Sequence, residues 1–402
     1  MCMARRCRAP IFQDIDGAHL MSAIRTEAEA VDFVRAARAD NRPFEIVAGG
    51  TRRGVGRPMG DIPALDVSGL SGILKYEPDE LIITAAPGTP LAEIRAVVAQ
   101  KNQRLGFDPA DWSQVLGSNG IATLGGAMSA DAYGPGRLRH GGPRDSLLAF
   151  RAVNGMGEAF RGGAKVVKNV TGFDVPKLVC GAFGTLCVLT ELSFRVYPQP
   201  GHSTTLCLAD VSPQDGFAAL RKIAHSALEP AGLFYVPGDT ALLGGIGRGA
   251  ALIRLEGARE PLAEKVAQAH GLVVGAQPAS FDGDRLLEQV RSGEAFAGGD
   301  HDVWRVALPP AEAPKFVAAL NPKLWLGDLA GGLLWIGAAP TDAARIRALA
   351  ARHDGHAMLL RASPQSRAAL GVFAPQPPAL AMMARNVKAA FDPLCLFNPG
   401  RL

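Results

Sequence analysis

Apolar residues in this chain switch between helical and strand periods, and the switches mark its elements. Over 26–41 (TEAEAVDFVRAARADN), Ala30, Phe33, Val34 and Ala37 recur at helical spacing, while Thr26 and Glu29 stand at capping-box spacing. Pro43 follows, and FEIVA at 44–48 predicts a strand running into a glycine loop at 49–58. Strands are expected at 65–70 (LDVSGL) and 80–88 (ELIITAAPG), then an amphipathic helix at 90–103 with proline near its first turn. Leu192, Phe194 and Val196 alternate with Ser193, Arg195 and Tyr197, which predicts a half-buried strand.

Past Pro198 and Pro200 the texture changes. Helix-like and strand-like runs alternate as DGFAALRKIAHSAL, AALIRLEG, PLAEKVAQAHG, VWRVALPP, GLLWIG and DAARIRALAARH, without a repeat of fixed period. With no fresh glycine-rich nest among them, they predict a second α+β domain. PQPP at 375–378 reads as a linker, and the tail (ALAMMARNVKAAFDPLCLFNPGRL) as a helix and turn returning to the first domain. The expected division is an extension at 1–21, a first domain at 22–198, a second at 199–375 and a C-terminal segment at 376–402.

Composition limits the function. A chain of 402 residues that is 48% hydrophobic can bury a large core in two domains. Its 42 basic and 38 acidic residues leave only +4, with the arginines scattered, so a nucleic-acid partner is not expected. Cys2, Cys7, Cys180, Cys187, Cys207 and Cys395 form no CxxC pair, so zinc or an iron–sulfur cluster in this chain is not expected. They read as small apolar residues in a reducing cytosol. The longest apolar run, LAGGLLWIGAA at 329–339, falls short of the roughly 18 residues of a spanning helix and reads as a buried strand with turns. The basic start MCMARRCRAP lacks an apolar core after it, so it reads as a disordered extension, with Met21 as an alternative start.

The chemistry concentrates in glycine-rich runs. Ala48-Gly49-Gly50-Thr51-Arg52-Arg53-Gly54 follows a strand, a placement that turns successive N–H groups outward as a nest for phosphate oxygens. It fits neither a Walker loop nor a Rossmann fingerprint. Arg52 and Arg53 suit a diphosphate and equally suit a solvated loop. Ala122-Thr123-Leu124-Gly125-Gly126 joins a hydroxyl to paired glycines, suited to a flat ring or diphosphate against backbone. Gly134 and Gly136 flank Pro135 in a turn, and Gly184-Thr185-Leu186 precedes the strand near 190, where a backbone N–H or the Thr185 hydroxyl can meet a ring edge.

In this order and spacing the segments resemble the FAD-binding domain of the vanillyl-alcohol-oxidase superfamily, also called the p-cresol-methylhydroxylase (PCMH) type. VAGGTRRG is similar to its pyrophosphate loop, ATLGG to A-T-[IL]-G-G, and RDSLLAFRAVNGMGE to R-D-x-[VIL]-L-G…G-[DE]. KVVKNVTGFD is similar to K-N-x-[AT]-G-[YF]-D, GTLCVLTE to G-T-L-G-[IV]-[IL]-T-E, and FNPGRL to F-N-P-G-[KR]. Within that superfamily DVSGL, RLEG, VWRVALPP and FDPLCLFNPGRL most resemble the E subunits of bacterial glycolate oxidases. The resemblance implies an α+β fold: a two-subdomain PCMH-type FAD-binding domain, then an α+β cap domain, with the C-terminal tail on the FAD domain. It implies FAD held by Ala48, Gly49, Gly50, Thr51, Arg52, Arg53, Gly54, Pro87, Gly88, Ala122, Thr123, Gly125, Gly126, Asp131, Gly134, Gly184, Thr185 and Leu186. It further implies an oxidoreductase for glycolate or related 2-hydroxy acids, a flavoprotein partner of D type and an iron–sulfur partner of F type. Its setting is cytoplasmic, with peripheral attachment at the inner membrane through those partners as an option.

Departures from the family qualify this. The first loop offers Thr51, Arg52 and Arg53 where covalent members attach flavin through histidine or cysteine, so non-covalent FAD is expected. His140 stands alone and reads as structural or solvent-facing. The segment Arg352-His353-Asp354-Gly355-His356 lacks the H-x-G-D-G-N-x-H metal motif of 2-hydroxy-acid oxidising relatives, and Asp354-Gly355 argues for a turn rather than a metal-binding helix. No metal site and no catalytic residue is assigned, which leaves a non-catalytic FAD-binding or assembly subunit as the alternative. A transferase or sugar-nucleotide reductase of the same fold would need its own acid. Lys165, Lys168 and Asn169 suit either flavin support or a polar strand face, and the sequon at Asn169 is read as coincidental. Asn398 and Arg401 suit either the flavin edge or a domain cap.

Overall fold

The computed structural model describes residues 13–15, 18–20, 23–164, 174–238 and 248–402. Its first sheet has four strands in the order Gln13–Ile15, Ala18–Leu20, Ala64–Asp66 and Glu45–Val47; the last three run parallel. The two N-terminal strands fall inside the extension expected to be disordered, while Met21 lies outside the described residues. Helix Glu27–Ala39 caps as the sequence predicts: Glu29 N donates to Thr26 Oγ1 at 3.2 Å, and the Glu29 carboxylate accepts from Thr26 N at 3.3 Å. Ala30, Val34 and Ala37 are buried beneath it, and Phe33 meets Phe44 edge-on at 4.8 Å.

A five-stranded antiparallel sheet follows, ordered Ile73–Glu77, Ile82–Ala85, Val188–Arg195, Leu147–Val153 and Ala159–Gly163. Strand 188–195 lies at its centre and is covered on both faces, where the sequence predicts one. Thr190 donates to Glu27 of the overlying helix at 2.7 Å, and Ser193 shares a 2.9 Å hydrogen bond with Thr84. A hydroxyl on a period-two strand is equally at home in water or paired in a core, so alternation alone cannot distinguish them. The expected helix at 90–103 is shorter, Leu91–Ala99, and the strand at 80–88 runs only over Ile82–Ala85.

The second unit is an eight-stranded antiparallel sheet: Gln277–Pro278, His202–Ala209, Gly249–Gly257, Gly232–Pro237, Leu324–Asp328, Leu333–Ala338, Asp302–Ala307 and His356–Arg361. One face, including Leu233, Tyr235, Ile253, Trp304 and Ile336, packs under helices Pro213–Ala224, Arg259–Leu272, Ala313–Leu320 and Ala343–Arg352. The opposite face, including Phe234, Val236, Leu252, Val303 and Trp335, packs on Val55, Ala110, Trp112, Val115 and Phe183 of the first unit. This second burial explains why these strands read as nearly continuous apolar runs. Helix Pro378–Phe391 then carries the chain back, and Phe44 N donates to Leu396 O at 2.8 Å while Asn398 N donates to Phe44 O at 3.0 Å.

Candidate functional site

A cleft of about 730 Å³, counted with its open mouth, lies where the first sheet, the helix after Thr123 and the C-terminal turn meet. Strand Glu45–Val47 leads into it through Ala48, Gly49, Gly50, Thr51, Arg52 and Arg53. The amides of Gly50, Thr51 and Arg52 find no protein acceptor among the described residues. Gly50 has φ +74°, and an added Cβ would meet nothing within 4 Å, so the backbone there is open toward the cleft. Gly49 differs. A Cβ on it would stand 1.6 Å from the Ile121 carbonyl oxygen, and Ile121 N donates to Gly49 O at 2.9 Å. The two glycine runs therefore lie back to back, and Gly49 is required by that contact.

Arginines brace the loop. Glu45, 5% exposed, accepts from Arg53 at 2.7 Å, and buried Arg401 donates to the carbonyls of Val55 at 3.2 Å and Arg52 at 2.7 Å. Arg52 is buried, which pushes its guanidinium down to about 10. It donates to Ala110 O at 2.5 Å, and its Nε lacks a partner. On the opposite wall Thr123 caps helix Leu124–Ser129 through Gly126 N at 3.4 Å, while Gly125 N donates to Pro87 O at 2.7 Å and Leu124 N to Thr89 O at 2.9 Å. These amides are already satisfied, so that turn shapes the wall instead of offering donors. Gly125 lies where a Cβ would stand 2.7 Å from Pro87.

Of the sequence-predicted residues, Ala48, Gly49, Gly50, Thr51, Arg52, Arg53, Pro87, Thr123, Gly125, Gly126 and Gly184 line this cleft. Gly54, Gly88, Ala122, Asp131, Gly134, Thr185 and Leu186 are not among the lining residues. Gly88 abuts the carbonyls of Val67, Ser68 and Leu70, and Gly134 abuts Asp108. Asp131 accepts from Arg137 and from Arg144 N, and the Thr185 hydroxyl donates to Ala182 O at 2.7 Å. Ala122 O accepts from Leu91 N, Leu186 is buried, and Gly54 stands against Leu116. Asn398 does line the cleft, its side chain bridging Ile46 N and Phe183 O at 2.8 Å each. The FNPGRL motif carried that signal. Ser129, Ala130, Phe183, Cys187 and Leu189 also line it without any sequence cue beyond their apolar or small character. Lys165, Lys168 and Asn169 lie outside the described residues.

The Arg52 guanidinium sits 5.3 Å from the centre of the Trp112 ring, and Arg305 from the second unit sits 5.1 Å from the same ring. Asp328, on a strand of that sheet, is 3% exposed, and its Oδ1 accepts from Leu329 N at 2.6 Å. Burial pushes its carboxyl up to about 7; Asp108 adds to the rise, and Arg305 opposes it. An acid raised in the folded state keeps its proton after the unfolded chain has lost it, so stability falls as pH rises from about 4 to about 7. Relative to an Asp328→Asn variant, urea unfolding at pH 5 and pH 8 should show wild type losing roughly 2–3 kcal/mol between the two. Parallel behaviour of the two proteins would contradict the buried, uncompensated carboxyl.

His140 lies away from the cleft, its ring 4.4 Å from that of Tyr197, and Arg104 donates to its Nε2 at 3.2 Å. Burial and neighbouring arginines push it down to about 4, so it is neutral near pH 7. His353 pairs with Glu312 at 2.8 Å, and His356 is exposed beyond the turn at Asp354, whose φ is +54°. Among the described residues no three metal-binding side chains converge, and no helix is long and apolar enough to cross a membrane.

The FAD binding domain family matches residues 19–163. The chain is 33% identical to glycolate oxidase subunit GlcE of Escherichia coli (strain K12) over 375 residues, covering 92% of this chain and 96% of that protein. Glycolate oxidase subunit GlcD of Bacillus subtilis (strain 168) is 28% identical over 43% of this chain and 36% of its own length. Among solved structures, p-cresol methylhydroxylase superposes with a TM-score of 0.66 at 15% identity, covering 95% of this chain and 88% of that one.

Proposed function

The chain belongs to the glycolate oxidase subunit GlcE family, and from that premise we propose that it is an FAD-dependent oxidoreductase subunit that takes part in converting glycolate or a related 2-hydroxy acid to the 2-oxo acid. The single observation that carries the cofactor assignment is the loop whose Gly50, Thr51 and Arg52 amides and Arg52 Nε lack protein acceptors beside the open cleft. Bound FAD supplies acceptance of two electrons and their onward transfer. The chain's own residues orient and insulate it. Gly50, Thr51 and Arg52 hold the diphosphate through N–H donors, and Arg52 and Arg53 supply opposing charge. Thr123, Gly125, Gly126 and Gly184 allow a planar group to approach backbone, and Asn398 fixes the closing turn. No histidine or cysteine lines the first loop to form a covalent flavin link, so the cofactor is held non-covalently.

The name of the GlcE relative makes that protein a subunit, and a second glycolate oxidase subunit, GlcD, is similar to this chain over 43% of this chain's length. Those names support a multisubunit complex, and within it we propose a D-type flavoprotein partner, an iron–sulfur F-type subunit that relays electrons, and any membrane attachment made through them. Chain purified with FAD should be yellow and should lose its flavin on acid precipitation. Glycolate should bleach the flavin absorbance when the D-type partner is present. Colourless protein after reconstitution would overturn the cofactor reading. Bleaching that needs neither this chain nor its flavin would leave it an assembly subunit.

A further inference from the structure

Four arginines are buried in the described structure: Arg52, Arg254, Arg305 and Arg401. Three of them donate hydrogen bonds to named protein acceptors. The Arg305 side chain, on a residue 6% exposed, makes neither a hydrogen bond nor an ion pair among the described residues, and its Nε is buried without an acceptor. Its guanidinium is set among three rings, 5.1 Å from Trp112, 4.7 Å from Tyr133 and 5.1 Å from Trp335. Trp112 is wholly buried, and its indole N–H also lacks an acceptor. The Arg305 guanidinium, with an unmet donor, thus stands over the Trp112 ring face at the junction of the two units. Asp328 is the carboxyl whose charge Arg305 favours, yet no acceptor oxygen meets the guanidinium directly, and a buried cationic donor left unmet is costly, so the arrangement suits an anion with acceptor oxygens.

The sheet register supplies a second group. Arg305 pairs with Trp335, and Asp328 pairs with Leu333, so Arg305 and Asp328 lie on one face with a single strand between them and an offset of two residues. Resting on the reading of the chain as a 2-hydroxy-acid oxidoreductase subunit, we propose that Arg305 and Asp328 form a binding site for one small 2-hydroxy monocarboxylate. The Arg305 fork takes the carboxylate, and the Asp328 carboxyl meets the hydroxyl. The surroundings favour a monoanion. Arg291 is already paired with Asp108, whose charge acts on Asp328, so a dianion would face two carboxyl groups with one free guanidinium. The site adjoins the cofactor cleft through the Trp112 ring that Arg305 and Arg52 share.

Glycolate, lactate, acetate and sulfate are titrated into the full chain, with and without FAD, by calorimetry and tryptophan fluorescence, since Trp112 and Trp335 flank the guanidinium. Glycolate and lactate should bind saturably and sulfate should not. Arg305→Met, which retains packing on the rings, should weaken glycolate binding on the order of 100-fold, and Arg305→Lys about 10-fold, because an ammonium cannot fork. Asp328→Asn should narrow the preference for glycolate over acetate. Both Arg305 variants should keep wild-type flavin content, since Arg305 does not line the cleft. Unchanged glycolate affinity in Arg305→Lys with an unchanged melting temperature overturns the site, as does sulfate competing as well as glycolate. Yellow wild-type protein that binds no glycolate sinks this proposal alone, whereas colourless protein that still binds glycolate through Arg305 sinks the flavin reading alone.

Discussion

Gly50→Val is expected to give folded protein that no longer retains FAD, while Gly49→Val, one residue earlier, is expected not to accumulate folded. The two glycines do different work. At Gly49 a Cβ would lie 1.6 Å from the Ile121 carbonyl oxygen, and Gly120 makes the reciprocal approach at 1.7 Å to Gly49 O. Neither backbone can yield without separating the loops that build the cleft. At Gly50 a Cβ meets no protein atom, and the positive φ adds only about 1–2 kcal/mol of strain for a branched residue. A domain stable by about 5–15 kcal/mol tolerates that. The added isopropyl group then occupies the space over the Gly50, Thr51 and Arg52 amides. Circular dichroism and the ratio of flavin to protein absorbance check both variants. Wild-type flavin content in folded Gly50→Val would remove the diphosphate from this loop.

Asp392→Ala is expected to lower the melting temperature by roughly 5–10 °C, following a loss of about 3–5 kcal/mol when a buried ion pair is broken. Asp392 is fully buried, and its carboxylate accepts from Leu396 N at 3.0 Å, Phe397 N at 2.8 Å and Lys388 Nζ at 2.5 Å. Lys388 also donates to Thr185 O at 2.5 Å, tying helix Pro378–Phe391 to the strand-preceding turn. Without the carboxylate the last turn loses three donors' common acceptor, and Asn398 loses its hold on Ile46 and Phe183. Flavin retention should fall together with stability. Asp392→Asn, which still accepts through one oxygen, should recover part of both. A melting curve matching wild type in the alanine variant would show that the tail is held by packing of Leu396 and Phe397 alone.

The glycine loop at 48–54 was legible because glycine, unlike other residues, is selected by backbone geometry, and its spacing after a strand survives in a single sequence. The helix at 27–39 was legible for a similar reason: both its cap and its apolar stripe are local. The second sheet's strands were visible, but not that their second face would be buried against the first unit. Gly134 illustrates the limit. It sits in a glycine-rich run that reads as cofactor wall, yet it packs against Asp108 and against Arg291, far along the chain, at the junction of the two units.

By itself the sequence determined the order of elements, the α+β class and the glycine loop, because each rests on contacts between near neighbours or on backbone permissiveness. Only tertiary structure decided which glycines face open space, which arginines are paired, and that Arg52, Trp112 and Arg305 meet. Those depend on contacts between residues up to 349 positions apart, and on burial, which raises the Asp328 carboxyl and leaves the Arg305 Nε without an acceptor.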